Sequence, residues 1–287
     1  MKIKRWPLGT LLALPACAWL GIFFLIPLVL ILRLSFYGYS PTDGIQPGFQ
    51  WSNYVKIFTD TYYLGIYVRT LRISVIVTVI CLLIGYPEAY YLTQLRGRVK
   101  ALVMMMVLSP LLISAVTRTF GWLILLGNNG VVNKAIVCLG LAKAPIKLLF
   151  SETGIVIGLT HVLVPIMVLS VYASLQRRDP ALVRAAESLG ASPLTAFLKV
   201  TLPLSLPGIL AGSVLVFTMA MSAFVTPAVL GGSRVRVVAY VVYDEFLYML
   251  NWPFGAAVAL VLVAVTMTIV VVYHRLLERG RWKEVFR

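Results

Sequence analysis

Residues able to carry charge or protons across a membrane are scarce in this chain, and their positions narrow the chemistry it can do. Glu88 and Arg118 lie inside long apolar runs. An ionisable group at such depth is costly and usually faces a cavity or a partner. Arg118 therefore reads either as a pathway or gate residue or as a structural one that hydrogen-bonds to helix ends. Glu88 sits toward the Arg96 end of its run, where it can attract a cationic solute or snorkel to the interface. Arg69 and Arg72, near the opposite end of the same run, are expected to snorkel. His161 on an apolar helix reads as packed, and it forms no cluster with His274. Cys17, Cys81 and Cys138 are scattered without metal-ligand spacing. No nucleophile–base set or Gly-rich phosphate loop of the G-x-x-x-x-G-K type is visible, so neither catalysis nor nucleotide binding is expected of this chain.

A second set of polar residues is clustered. Residues 176–203 form a polar island between two apolar runs. Asp179 is a good N-cap, and Pro180 suits the first helical position. Leu182, Ala185, Ala186 and Leu189 then recur at helical spacing. Gly190 stands where a left-handed residue ends a helix. Ser192-Pro193 repeats the cap-plus-proline start, and Leu194, Phe197 and Leu198 give a second apolar face that Pro203 is expected to end. A plain connection needs only a few residues. Arg184, Glu187 and Ser188 beside small Ala185 and Ala186 suit a helix docked into a groove of another protein. An amphipathic hairpin resting on the membrane surface explains the same residues equally well.

The elements that carry these groups follow from composition. The 287 residues are 60% hydrophobic and 12% charged, about half the charged share of a typical soluble domain. Six apolar blocks, about 11–33, 66–95, 101–126, 152–175, 205–230 and 254–276, reach the roughly 20 residues a helix needs to cross hydrocarbon. Only helices satisfy every backbone group within a single span. The expected fold is all-α, with six transmembrane helices in a single domain covering 1–287. The run Leu14-Pro15-Ala16-Cys17 hints at a lipoprotein cleavage site, but the apolar block continues past Cys17 and Pro15 fits poorly, so a retained span is expected. Pro87, Pro110, Pro165 and Pro227, within or near the spans, read as kinks.

The formal charge of +15 is explained by its distribution and not by nucleic acid. Of 25 Lys and Arg, 15 fall on the side that holds both termini, Arg96–Lys100 and the polar island, and seven fall on the other. The positive-inside rule puts the richer side in the cytoplasm, with anionic lipid as a neighbour. On the opposite side, residues 34–65 are rich in aromatics that could lie along the interface. Asp244 and Glu245 there could touch a docking protein or simply be solvated.

The island resembles the cytoplasmic loop of permease subunits from binding-protein-dependent ABC importers. The family pattern is Glu-Ala-Ala, three residues, Gly, nine residues, Ile, one residue, Leu-Pro. This chain has Ala185-Ala186, three residues, Gly190, nine residues, Val200, one residue, Leu202-Pro203. Arg184 replaces the family glutamate, which reverses the first charged contact; Glu187, one turn on, could compensate. Gly85-Tyr86-Pro87, Arg118-Thr119-Phe120-Gly121-Trp122, Gly127, Asn133 and Trp252-Pro253-Phe254-Gly255 are similar to the spermidine/putrescine-type branch, in particular the first of its two permease subunits.

The resemblance implies a type I permease fold in a bacterial inner membrane. The coupling residues would be Arg184, Ala185, Ala186, Glu187, Leu189 and Gly190, and Glu88, Arg118 and Trp122 are the pathway or gate candidates. The implied partners are two ATPase subunits that hold ATP and Mg, a second permease subunit and a periplasmic solute-binding protein, with a polyamine as the solute. The alternative is a secondary transporter or channel without an ATPase. Its need for intramembrane acids is poorly met, because only Glu88 and the span-edge Glu152 are available.

Overall fold

A computed structural model describes residues Leu8–Glu278. The basic residues Lys2, Lys4, Arg5, Arg279, Arg281, Lys283 and Arg287, counted above for topology, lie outside the described residues. The chain is mainly helical, in the order α1 (Leu8–Leu20), α2 (Ile26–Leu34), β1 (Gly38–Ser40), β2 (Gly44–Gln46), α3 (Ser52–Thr59), α4 (Thr61–Gln94), α5 (Gly97–Leu112), α6 (Ala115–Leu126), α7 (Val131–Cys138), α8 (Glu152–Gln176), α9 (Pro180–Ser188), α10 (Pro193–Ala196), α11 (Leu202–Met221), α12 (Val225–Gly231), α13 (Val238–Leu247) and α14 (Trp252–Glu278). Wide π-helical turns at Gly21–Leu25 and Phe197–Thr201 join α1 to α2 and α10 to α11.

Among the described residues, five continuous helices are long and apolar enough to cross a bilayer: Leu14–Leu34, Thr61–Gln94, Glu152–Gln176, Pro193–Met221 and Trp252–Arg275. The block expected as one span over 101–126, kinked at Pro110, is instead two helices, α5 and α6, and Gly97–Leu112 meets Ala115–Cys138 at a 96° bend. Pro110 explains where the first one ends. Its missing N–H leaves the Met106 carbonyl without its helical donor, and the Ser109 hydroxyl takes that carbonyl at 2.8 Å. The block expected over 205–230 also breaks: α11 ends at Met221, and α12 begins at Val225.

The chain divides into two compact units. The first comprises the residues up to Leu64 together with Val241–Val261. It contains α1 and α2, which bury no side chain over Leu14–Leu34, and the antiparallel β1–β2 hairpin. The aromatics of 34–65 gather here on one another. Phe36 stacks on Phe49 at 4.7 Å and meets Trp51 edge-on at 5.1 Å. Asn53 ties them to the end of α2 by donating to the carbonyls of Ser35 and Tyr37, each at 2.9 Å.

The second unit runs from Gly65 to Tyr240 and resumes at Leu262. Its axis is α8. Ile155, Leu159, Leu163, Met167, Val171 and Leu175, spaced by four residues, are all 3% exposed or less. Around them pack Ile73, Val77, Cys81, Ala89 and Leu92 of α4 and Ile209, Val216 and Ala220 of α11. Helices in lipid gain little from burying apolar surface against each other, so close packing of small residues matters more. Gly208 and Gly212 of α11 form such a G-x-x-x-G edge. A Cβ on Gly208 would lie 2.6 Å from the Ser170 carbonyl oxygen and 3.1 Å from the Val171 Cα of α8.

The candidate coupling loop and the charged residues of the spans

The loop between α8 and α11 is built from local signals. The Asp179 carboxylate accepts the Ala181 N–H at 2.8 Å and caps α9. At the other end Gly190 adopts φ +87°. Its N–H reaches the Glu187 carbonyl at 2.9 Å, and the Ala191 N–H reaches the Ala186 carbonyl at 3.0 Å. These paired bonds form a Schellman motif, which satisfies the last carbonyls of the helix and turns the chain. Ser192 then starts the next helix by accepting the Thr195 N–H at 3.3 Å.

That next helix does not stop at Pro203. It continues through the π-helical turn Phe197–Thr201 into α11, and Pro203 sits in the first turn of α11. A proline removes a donor and crowds the carbonyl one turn back. The wide turn just before it opens that turn of the backbone, so the helix passes through.

Of the candidate coupling residues, Ala186 is half-buried, and Arg184, Ala185, Glu187, Leu189 and Gly190 are exposed. Leu189 is 90% exposed, a large apolar side chain offered at the bend. Among the described residues Arg184 and Glu187 have no ion-pair partner. The inward side of the loop is anchored. The Arg178 guanidinium donates to the Thr201 hydroxyl. The Phe197 ring meets those of Tyr86 and Tyr90 edge-on at 5.9 and 5.6 Å. The Tyr86 and Ser205 hydroxyls are 3.0 Å apart.

The three pathway or gate candidates do not form one cluster. Arg118 of α6 donates to the carbonyls of Pro110 and of Ile113, the latter at 3.1 Å. Its charge thus meets the unsatisfied carbonyl end of α5 at the bend, where a helix terminus favours a cation. Trp122, one turn on, donates its indole N–H to His161 Nδ1 at 3.3 Å, with the rings edge-on at 5.4 Å. His161 is exposed on α8 and not packed as expected; only the fold, by laying α6 beside α8, brings it to Trp122. Glu88 is half-buried on α4 and makes no hydrogen bond or ion pair among the described residues.

Arg69 and Arg72 also depart from expectation. Instead of snorkelling free, they converge on Glu152: Arg69 Nε lies 3.3 Å from its carboxylate, and Arg72 donates to it as well. Glu152 occupies the first turn of α8, where the helix dipole favours an anion. Asn133, which is fully buried, clamps the segment after α6. It donates to the carbonyls of Gly127 at 3.0 Å and Ile146 at 3.1 Å and accepts the Ile146 N–H at 2.8 Å. In the first unit, burial pushes the Glu245 carboxyl above the usual carboxylate range, Lys56 opposes the shift and Asp244 adds to it. Lys56 itself rests over the Phe254 ring, 4.6 Å from its centre.

On sequence alone His161 reads as packed, without its tie to Trp122, and Phe197 only as part of an apolar face. In both cases the partner lies far away in sequence, and nothing local marks it.

Comparison with known proteins fits this architecture. The profile of the family described as "Binding-protein-dependent transport system inner membrane component" matches residues 8–283. The spermidine/putrescine transport system permease protein PotB of Haemophilus influenzae is 36% identical over 258 residues, covering 90% of both chains. Its Escherichia coli counterpart is 33% identical over 257 residues, covering 90% of this chain and 93% of that one. A chain in the crystal structure of a bacterial alginate ABC transporter, bound to its alginate pentasaccharide-loaded periplasmic protein, superposes with a TM-score of 0.76. At 20% identity and 96% coverage of both chains, that match speaks for the fold alone. The chain belongs to the binding-protein-dependent transport system inner membrane components and is a permease subunit of an ABC importer.

Proposed function

We propose that this permease forms part of an ATP-driven importer of a polyamine such as spermidine or putrescine. The observation that carries the substrate class is the identity of 36% and 33% to two spermidine/putrescine permeases over nine-tenths of the chain. In this reading a periplasmic binding protein delivers the solute, and a second permease subunit completes the pathway. Two ATPase subunits hold ATP and Mg and hydrolyse the nucleotide, which this chain does not do.

The α9 loop is the ATPase-docking element. Its support is a rigid, capped helix end carrying an exposed Leu189 and an unpaired Arg184. Arginine in place of the family glutamate calls for an acidic or neutral group on the ATPase surface opposite it. The excess of Lys and Arg beside the loop supports a cytoplasmic location for it and for both termini. Glu88 attracts the cationic solute, and Trp122 lines the pathway. Arg118 serves by holding the bend between α5 and α6.

The test is reconstitution of the permease with its ATPase, second permease and binding protein. Radiolabelled spermidine uptake into proteoliposomes should require ATP and the binding protein, and putrescine should compete. Uptake that proceeds without ATP would overturn the transporter class. ATP-driven uptake of another solute, with polyamines inert, would overturn the substrate.

A further inference from the structure

The docking loop has an exposed outer side and a fixed inner one, and one row of residues carries side-chain ties on the fixed side. Phe197, Thr201 and Ser205 follow one another at four-residue spacing from the wide turn into α11. Each reaches a side chain outside that helix, and Phe197 and Ser205 share Tyr86. Phe197 lies edge-on to Tyr86 and Tyr90, themselves four residues apart on α4, with interplanar angles of 83° and 81°. Thr201 accepts from Arg178, just beyond α8. Ser205 meets the Tyr86 hydroxyl. Thr201 and Ser205 are 2% and 0% exposed, and Phe197 at the head of the row is half-buried beside Ala196 at 1%. By contrast, Leu182, Leu189 and Leu194 on the outer side are all at least 48% exposed.

A push on α9 reaches α4 through this row. The Schellman turn at Gly190 and the Ser192 cap hold α9 to α10, and α10 runs without a break into the turn that carries Phe197. Phe197 is the first of the three ties met along that route and the only one aimed at two rings of α4. A flat ring held edge-on between two others has a defined orientation and passes on displacement as a packed solid does.

We propose that Phe197 is a positioning residue that transmits movement of the docking loop to α4, with Tyr86 and Tyr90 as its seat and the Arg178–Thr201 bond tying the end of α8 into the same joint. This rests on the reading of the loop as the ATPase-docking element. Removing the ring leaves docking and ATP hydrolysis in place but disconnects them from the reorientation of α4.

The experiment uses the complete reconstituted complex and reads ATP hydrolysis and spermidine uptake in the same vesicles. Wild type must show ATP-dependent uptake of some solute; without it the functional reading fails, independently of this proposal. Given that uptake, Phe197→Ala should keep hydrolysis within about twofold while uptake per ATP falls by about tenfold, the change expected on losing two edge-on ring contacts. Phe197→Tyr, which keeps the ring, should restore the ratio. Tyr90→Ala should reproduce the loss, and Tyr90→Phe should not. Should Phe197→Ala fail to assemble, Phe197→Leu and Tyr90→Ala report the same ratio. An unchanged ratio in these variants overturns the proposal, and so does a parallel fall in hydrolysis and uptake.

Discussion

Gly190 allows the strictest test of the loop, because its surroundings separate backbone strain from steric clash. Its φ is +87°, and an added Cβ would meet nothing within 4 Å. Alanine therefore costs only conformational energy, about 1–2 kcal/mol for an L-residue in the left-handed region. The bend is held by a few hydrogen bonds, each worth about 1 kcal/mol net. A strain of that size removes much of the margin and lowers the bent population by about tenfold for each 1.4 kcal/mol. Asparagine tolerates left-handed backbone better and should fall between glycine and alanine. Proline fixes φ near −65° and has no N–H to give the Glu187 carbonyl, so it cannot form the bend at all. ATP-driven uptake in membrane vesicles, normalised to the permease present in the membrane, should rank glycine, asparagine, alanine, proline, with the proline variant near background. A Gly190→Pro protein that transports normally, or an alanine variant worse than proline, would refute the reasoning.

Four further outcomes can be checked separately. Gly208→Val should lower the thermal unfolding temperature of the purified permease, because the Ser170 carbonyl and Val171 Cα leave no room for a side chain and overpacking costs about 1–3 kcal/mol; Gly65→Val, where nothing lies within 4 Å, is the matched control. Arg118→Gln should also destabilise, by about 1–3 kcal/mol for the carbonyls left without their charged donor, and unchanged stability would remove Arg118 from the bend. Glu88→Gln should raise the apparent KM for spermidine with little change in kcat, and an unaltered KM would leave Glu88 a snorkelling residue. Glu245 has a carboxyl pKa raised by folding, so the folded state favours its protonated form. Its ionisation costs stability as pH rises from about 4.3, the unperturbed value, through the raised one. Glu245→Gln should therefore stabilise the protein at neutral pH, and a thermal-shift series should show that gain shrinking as pH falls toward 4.

The spans were legible because the bilayer imposes a length and an apolar composition that few other constraints produce. The loop's division at Gly190 was legible for a different reason: Asp179-Pro180 and Ser192-Pro193 are helix starts whose signals act within three residues. The 96° bend after α5 was not legible. The sequence stays apolar across Ile113 and Ser114, and Pro110 reads the same whether it kinks a span or helps to end one. The passage of the helix through Pro203 was hidden because a wide turn upstream is not a preference of any single residue. Pairings such as Arg72 with Glu152 and Trp122 with His161 join residues 80 and 39 apart. They exist because α4 and α6 lie beside α8, which no local pattern specifies. The arginine at position 184, where the family pattern has glutamate, could be read directly from the sequence.

The bend between α5 and α6 also bears on how the protein is made. As a helix, the 16 residues of Gly97–Leu112 reach about 24 Å, short of the roughly 30 Å of hydrocarbon. The segment that follows turns through nearly a right angle before the crossing is complete. The carbonyls exposed at that turn wait for a guanidinium five to eight residues later. Each of the first two crossings is one continuous apolar helix long enough to span alone. The third is not. Its lasting position is gained only when α8 has been synthesised for α5 and α6 to pack against, and α12 for α6. A truncation before Glu152 should therefore leave this part of the chain as a substrate for membrane proteolysis, whereas one after Gly231 should not.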